Sequence, residues 1–136
     1  MEHVRDVMTQ NPTSCDPSAT VVVASKVMAK EDVGSVPVVK NGRLAGVVTD
    51  RDIVVRVLAE GRDPNSTTVG EIASSDLETV SPDDDLNTAL RKMASSKVRR
   101  LPVVDGDELV GIVAQADVAR QGNDSETGQV VEEISK

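Results

Sequence analysis

An internal repeat constrains this chain more than any other feature. The stretch VPVVKNGRLAGVVTDRDI at residues 36–53 returns as LPVVDGDELVGIVAQADV at residues 101–118. Pro17 and Pro82, Met28 and Met93, and Pro37 and Pro102 all stand 65 positions apart, without a gap. Val4, Ala24, Val33, Leu44, Gly46 and Asp52 each meet the identical residue at the same offset. Duplication of a unit of roughly 50 residues accounts for this, and two copies are too few for a solenoid, which needs three or more. The divisions follow: repeat 1 at 1–61, a linker at 62–67, repeat 2 at 68–120, and an acidic tail at 121–136 in which a last helical turn is expected.

Within each copy the hydrophobic period changes along the chain. Residues 4–8 and 69–73 read as short helical turns, the second with Thr68 three residues before Glu71, a capping-box spacing. Residues 13–16 and 78–81 read as short extended segments ending at Pro17 and Pro82. Leu86, Ala89, Leu90, Met93 and Ala94 then line one face of an amphipathic helix. Val21, Ala24, Met28 and Ala29 mark the same face in the first copy. Asp83, Asp84 and Asp85 crowd the start of the second helix, where cap geometry and the helix dipole favour carboxylates.

The β-branched runs at 36–39 and 44–48 read as strands joined by Asn41-Gly42. Asp105-Gly106 falls between the second pair, and both dipeptides are hairpin signals. From Asp50 the pattern turns helical, with Ile53, Val54, Val57 and Leu58 apolar, until Gly61 stops it. The second closing helix is shorter, at residues 116–120. Each copy is therefore expected as β-α-β-β-α, an α/β (α+β) class. Two copies can pack sheet to sheet with pseudo-twofold symmetry and form two related clefts between them.

Composition narrows the chemistry. The 136 residues include no Phe, Trp or Tyr, so the core must be aliphatic and a ligand ring would be held by Val, Leu, Pro or Arg. The net charge of −8 disfavours phosphate polymers and anionic membranes. With no basic stripe and no aromatics to stack bases, no nucleic-acid partner is expected. No apolar run approaches the length of a membrane span, and MEHVRDVMTQ lacks a signal-peptide core, so the expectation is a cytoplasmic protein without a membrane partner. Cys15 is the only cysteine and cannot form an internal disulfide. It reads as a small apolar residue in or beside a strand, with a redox or intermolecular role as the alternative. The P-loop, the Rossmann glycine fingerprint and the GxSxG nucleophile elbow are all missing, so no enzyme is expected. One His and one Cys do not build a zinc site of the usual kinds, and Asp83–Asp85 lack the spacing of a calcium loop. No metal and no required cofactor are expected.

A short helix ending in Met8-Thr9, then VPVV, Asn-Gly and LAGVVTDRDI, together resemble a CBS domain, and the tandem resembles a Bateman module. The likeness spans residues 4–120. Among stand-alone two-CBS proteins the chain is most similar to the small bacterial group that includes the mycobacterial hypoxic response protein. TDRDIVVRVLAEG, Asp63-Pro64, VRRLPVV and LVGIV carry that closer match. The resemblance implies a non-catalytic regulatory or sensor module that binds AMP, ADP or ATP in the inter-repeat cleft and forms a homodimer. S-adenosylmethionine or NAD is the alternative ligand. A ligand-independent dimeric scaffold in stress response, with an unidentified protein partner, is the alternative function.

The family's nucleotide motif is a Gly, two apolar residues, a Thr or Ser, two residues and an Asp. It is complete at Gly46, Val47, Val48, Thr49, Asp50, Arg51 and Asp52. In this resemblance Gly46 permits close backbone approach, Thr49 offers a hydroxyl, Asp52 takes the ribose hydroxyls, and the helix start beside it suits a phosphate. The plainer reading is that Thr49 and Asp50 cap a helix and Asp52 complements its dipole. The second copy keeps Gly111 and Asp117 but has Ala114 at the Thr position, which removes a hydrogen bond worth about 1 kcal/mol.

Arg99 and Arg100 stand where repeat 1 has Gly34 and Ser35. The resemblance implies that basic residues here reach a ligand's phosphates, a role two guanidiniums suit. The plainer reading leaves one of them in solvent beside a surface carboxylate. The resemblance also places Pro37, Thr13, Ser14, Glu78 and Thr79 along the ligand cleft. The best expected site combines Thr49 and Asp52 of one repeat with Arg99 or Arg100 of the other.

Overall fold

The computed structural model describes residues 2–121, so the turn expected in the acidic tail lies outside the described residues. In chain order the elements are α1 (Val4–Val7), β1 (Thr9–Gln10), α2 (Val21–Glu31), β2 (Ser35–Lys40), β3 (Arg43–Thr49) and α3 (Asp50–Ile53). They continue with α4 (Val69–Ile72), α5 (Leu86–Ser96), β4 (Arg100–Asp105), β5 (Glu108–Ala114) and α6 (Gln115–Gln121). The class is mixed α/β with antiparallel pairing, as the sequence pattern implies.

Local chemistry sets the element ends. Thr20 caps α2 by accepting from the Val23 N–H at 3.4 Å, and Asp85 caps α5 by accepting from Thr88 N–H at 2.8 Å. That backbone hydrogen bond, with a second from the Thr88 hydroxyl, holds the Asp85 carboxyl below its ordinary pKa. Both long helices end on left-handed residues, Asp32 at φ 55° and Lys97 at φ 56°, 65 positions apart. The buried faces follow the expected periodicity, except that Ala29 is exposed.

The two hairpins repeat in detail. β2 and β3 pair antiparallel from Ser35↔Thr49 to Lys40↔Arg43, with an irregularity at Val38/Val39. β4 and β5 pair from Arg100↔Ala114 to Asp105↔Glu108, with the same irregularity at Val103/Val104. The turns differ. Asn41 and Gly42 both have positive φ, 53° and 80°, as a type I′ turn requires. In the second hairpin Asp105 is still paired with Glu108, so the turn is Gly106-Asp107, one residue later than the Asp-Gly signal placed it. Only Gly106 has positive φ there, the glycine-first arrangement of a II′ turn.

The compact units are out of phase with the repeats. One is continuous, Thr13–Leu77, and the other joins the residues through Pro12 to the chain from Glu78 onward. Each repeat's opening segment is thus delivered to the other repeat's hairpin. In the continuous unit Ser74 bridges Val47 of β3, with both N–H···O contacts at 3.0 Å, while Cys15 bridges Val38 of β2 in parallel. In the discontinuous unit Thr9 and Gln10 pair with Ile112 and Gly111 of β5, while Val80 bridges Val103 of β4 in parallel. The two arrangements match residue for residue at the offset of 65.

Two glycines permit this exchange. A Cβ on Gly46 would lie 2.8 Å from the Ser74 carbonyl oxygen, and one on Gly111 would lie 2.9 Å from the Thr9 carbonyl oxygen. The short helices dock alongside through backbone bonds: Val69 N–H to the Ala19 carbonyl at 2.8 Å, and Val4 N–H to the Asp84 carbonyl at 2.9 Å. Arg5 adds an ion pair with Asp83.

Each unit has its own aliphatic core. The continuous unit buries Val21, Ala24, Met28, Val36, Val38, Val48 and Val57 with Val69 and Ile72 of the exchanged segment. The discontinuous unit buries Val4 among Leu86, Ala89, Leu90, Met93, Leu101, Val103, Val113 and Val118. Truncating a buried exchanged residue should therefore loosen the other repeat. Val69→Ala, at a side chain with 0% exposure, should cost about 2 kcal/mol. Amide exchange should show the loss of protection first in β2 and β3 rather than in β4 and β5 of its own repeat. Earlier loss in β4 and β5 would contradict the exchange.

Candidate functional site

The complete motif lies where β3 ends and α3 begins. Thr49 is the N-cap of α3, and its Oγ1 accepts from the Asp52 N–H at 3.1 Å. Asp52 returns the interaction, its Oδ2 accepting from the Thr49 N–H at 2.9 Å. This reciprocal pair is a capping box. Thr49 caps the helix, as the plainer reading expects, but the second capping side chain is Asp52 rather than Asp50. Asp50 instead sits against Gly34, where an added Cβ would lie 3.1 Å from Oδ2. Its N–H donates to the Gly34 carbonyl at 2.9 Å.

Capping leaves useful chemistry in place. Thr49 uses its oxygen as an acceptor and keeps the hydroxyl proton for donation. Asp52 Oδ1 stands 3.9 Å from Arg56 Nε, beyond hydrogen-bond length, and so retains accepting capacity. The Asp52 side chain is 18% exposed, oriented by the box but still accessible. Beyond α3 the chain continues as a π-helical turn, Val54–Leu58, with the Ala59 N–H on the Val54 carbonyl at 2.9 Å. From that turn Arg56 Nη1 donates to the Ile72 carbonyl at 3.1 Å.

The matching place in the second repeat is different. Ala114 has no hydroxyl to cap α6, and the Asp117 carboxylate turns to Arg120, with Oδ1 2.6 Å from Nη2. The Gln115 N–H donates to the Arg99 carbonyl at 2.8 Å, the counterpart of Asp50 on Gly34. Asp117 is therefore engaged in an ion pair that Asp52 lacks at that distance.

The remaining candidates divide between packing and surface. Gly46 and Pro37 are buried, and the Pro37 carbonyl accepts from the Cys15 N–H at 2.9 Å. Thr13 is exposed, its hydroxyl 2.9 Å from Glu31 Oε1, and Ser14 is exposed. The Thr79 carbonyl accepts from Lys92 Nζ at 2.7 Å, and Glu78 pairs with the same ammonium at 3.5 Å. Arg99 and Arg100 are both exposed. The continuous unit thus holds Thr49, Asp52, Gly46, Pro37, Thr13 and Ser14, and the discontinuous unit holds Arg99, Arg100, Asp117 and Thr79. Cys15 is 5% exposed and burial raises its thiol pKa, as befits an apolar residue beside a strand, here bridged to Val38 of β2. Arg56 escaped sequence reasoning, although its i,i+4 spacing from Asp52 was a usable signal.

Among the described residues no group of three or more His, Cys, Asp and Glu could hold a metal ion, and no helix is long and apolar enough to cross a membrane. The box itself is open to test. Thr49→Ala should destabilise the protein by about 1 kcal/mol in urea unfolding, and Thr49→Ser should restore most of it. Equal loss in both variants would place the contribution in packing of the Thr methyl instead.

Comparison with known proteins agrees with this anatomy. The family model for the CBS domain matches residues 4–59 and again 69–123. CBS domain-containing protein YhcV of Bacillus subtilis is 40% identical over 136 residues, covering 99% of this chain and 96% of that protein. Hypoxic response protein 1 of Mycobacterium tuberculosis is 39% identical over 121 residues, covering 88% and 85%. The crystal structure of Hypoxic Response Protein I with two coordinated zinc ions superposes with a TM-score of 0.80 at 39% identity, over 88% of this chain and 98% of that one. The crystal structure of CBSX2 in complex with AMP superposes with a TM-score of 0.77 at 28% identity, over 88% and 95%. With a family match in each half and relatives of its own length, this chain belongs to the CBS-domain family as a tandem pair of CBS domains.

Proposed function

We propose that the protein is a non-catalytic, cytoplasmic regulatory module that takes an adenosine-containing ligand, AMP, ADP or ATP, with Thr49 and Asp52 as its anchor. The capping box carries this reading. It holds a hydroxyl donor beside a carboxylate with free accepting capacity, a pairing suited to the vicinal hydroxyls of a ribose. The AMP complex of CBSX2 supports the ligand class. Arg99 and Arg100 are exposed cations of the kind that bind phosphate. Asp117 is the weaker anchor because Arg120 already holds it and Ala114 offers no hydroxyl.

The module acts as a homodimer in this proposal. Val54, Val55 and Leu58 are 55%, 46% and 56% exposed on a single π-helical turn, an apolar surface that a second copy would cover. In sedimentation, Leu58→Glu should shift the protein from dimer toward monomer; an unchanged dimer would place the interface elsewhere.

The ligand is tested by melting temperature in the presence of AMP, ADP, ATP, S-adenosylmethionine and NAD. A ligand at about 100 times its Kd stabilises by ~2.7 kcal/mol. Asp52→Ala should abolish the shift and Asp117→Ala should largely preserve it. If none of the five moves the wild-type protein, the nucleotide reading fails and a ligand-independent scaffold in stress response takes its place.

A further inference from the structure

We infer that Arg56 is a positioning residue that ties the Asp52 carboxylate to the opening segment of the second repeat, so that residues 72–74 report the state of Asp52. Its Nε lies 3.9 Å from Asp52 Oδ1 and its Nη1 donates to the Ile72 carbonyl at 3.1 Å. Ile72 is the last residue of α4, where a helix leaves carbonyls without intrahelical partners. Two residues on, Ser74 exchanges both backbone hydrogen bonds with Val47 of β3, the strand that leads into Thr49. Asp52, Arg56, Ile72, Ser74, Val47 and Thr49 therefore form a closed loop of contacts within the continuous unit.

The guanidinium is the part of the loop that can change. Its planar fork can serve a carbonyl and a carboxylate at once, which an ammonium does less well. The Arg56 side chain is 53% exposed, so its hold on Asp52 is weak and easily displaced. Hydroxyls of a ligand on Asp52 would draw on the same carboxylate and weaken its pull on Nε. Without that second contact to fix its aim, the half-exposed guanidinium would hold Ile72 less firmly, and the pairing of Ser74 on Val47 would loosen with it. The second repeat lacks this device: Gln121 stands 65 positions after Arg56, and Asp117 is held by Arg120 instead. A switch built this way belongs to the first repeat alone.

The tie itself needs no ligand, whereas its use as a switch rests on the nucleotide reading above. A double-mutant cycle on the full-length protein tests the tie, with amide exchange at Val47 and Ser74 as readout. Arg56→Met should speed exchange at both amides by ~5-fold, the scale of one hydrogen bond. Asp52→Asn keeps an oxygen for the cap but loses the charge, and should speed the same amides by less. The double variant should exchange no faster than Arg56→Met alone. Amides of β4 and β5 should stay unchanged, and Arg56→Lys should recover part of the protection.

Unchanged exchange in Arg56→Met, or full additivity of the two substitutions, would overturn the tie. Saturating AMP should then speed Val47 and Ser74 in the wild type and leave Arg56→Met as it is. If AMP binds and those amides do not respond, the switch is overturned. If AMP does not bind at all, the nucleotide reading falls while the cycle still decides the tie.

Discussion

Two short backbone pairings hold this architecture together: Ser74 on Val47 and Thr9 on Ile112. Each places the opening segment of one repeat along the edge of the other repeat's hairpin. A unit of about 60 residues buries only ~60% of its unfolded surface and is marginal alone. Here the core side chains are Val, Ala, Leu, Met and Ile with Cys15, and no aromatic ring supplies large contact areas. The exchanged residues Val4, Val69 and Ile72 are at most 1% exposed and complete cores that their own repeat does not occupy. Because the chain crosses between units after Pro12 and again after Leu77, the two cores are covalently interleaved. The pairing of Thr9 with Ile112 joins residues far apart in the chain, a non-local contact of the kind that slows folding.

Much of this was legible in the sequence, and the physics explains what was not. The hairpins, the two long helices and the capping residues Asp85 and Glu71 follow from local pattern, because periodicity and cap chemistry are local effects. The exchange of opening segments was invisible to that reasoning, since a strand of two residues leaves no periodic signal and its partner is chosen by tertiary packing. Gly46 and Gly111 were the traces it left, yet a glycine in a strand serves a passing backbone or an approaching ligand equally well. The second turn slipped by one residue because Asp-Gly and Gly-Asp share the tripeptide at 105–107, and register is decided by pairing along the strands. The π-helical turn was missed for a related reason: Ile53, Val54, Val57 and Leu58 fit an α-helical stripe, but only Val57 is buried.

The two repeats diverge in a way that separates scaffold from site. Residues that serve packing recur at the offset of 65: Gly46 and Gly111, Val38 and Val103 with their bulges, Val48 and Val113, Met28 and Met93. The polar residues at the strand-to-helix step do not. Thr49, Asp50, Arg51 and Arg56 become Ala114, Gln115, Ala116 and Gln121, and Gly34 and Ser35 become Arg99 and Arg100. Only Asp52 and Asp117 remain, and they have different partners. A fold that needed a capping box at this step would need it in both repeats, yet the hairpin of the second repeat forms around Ala114 without one. The capping pair of Thr49 and Asp52 is therefore not required for a hairpin of this kind to lead into its helix. In the function proposed above, Thr49 and Asp52 serve a ligand, and the ion pair that holds Asp117 would make the second place the weaker one.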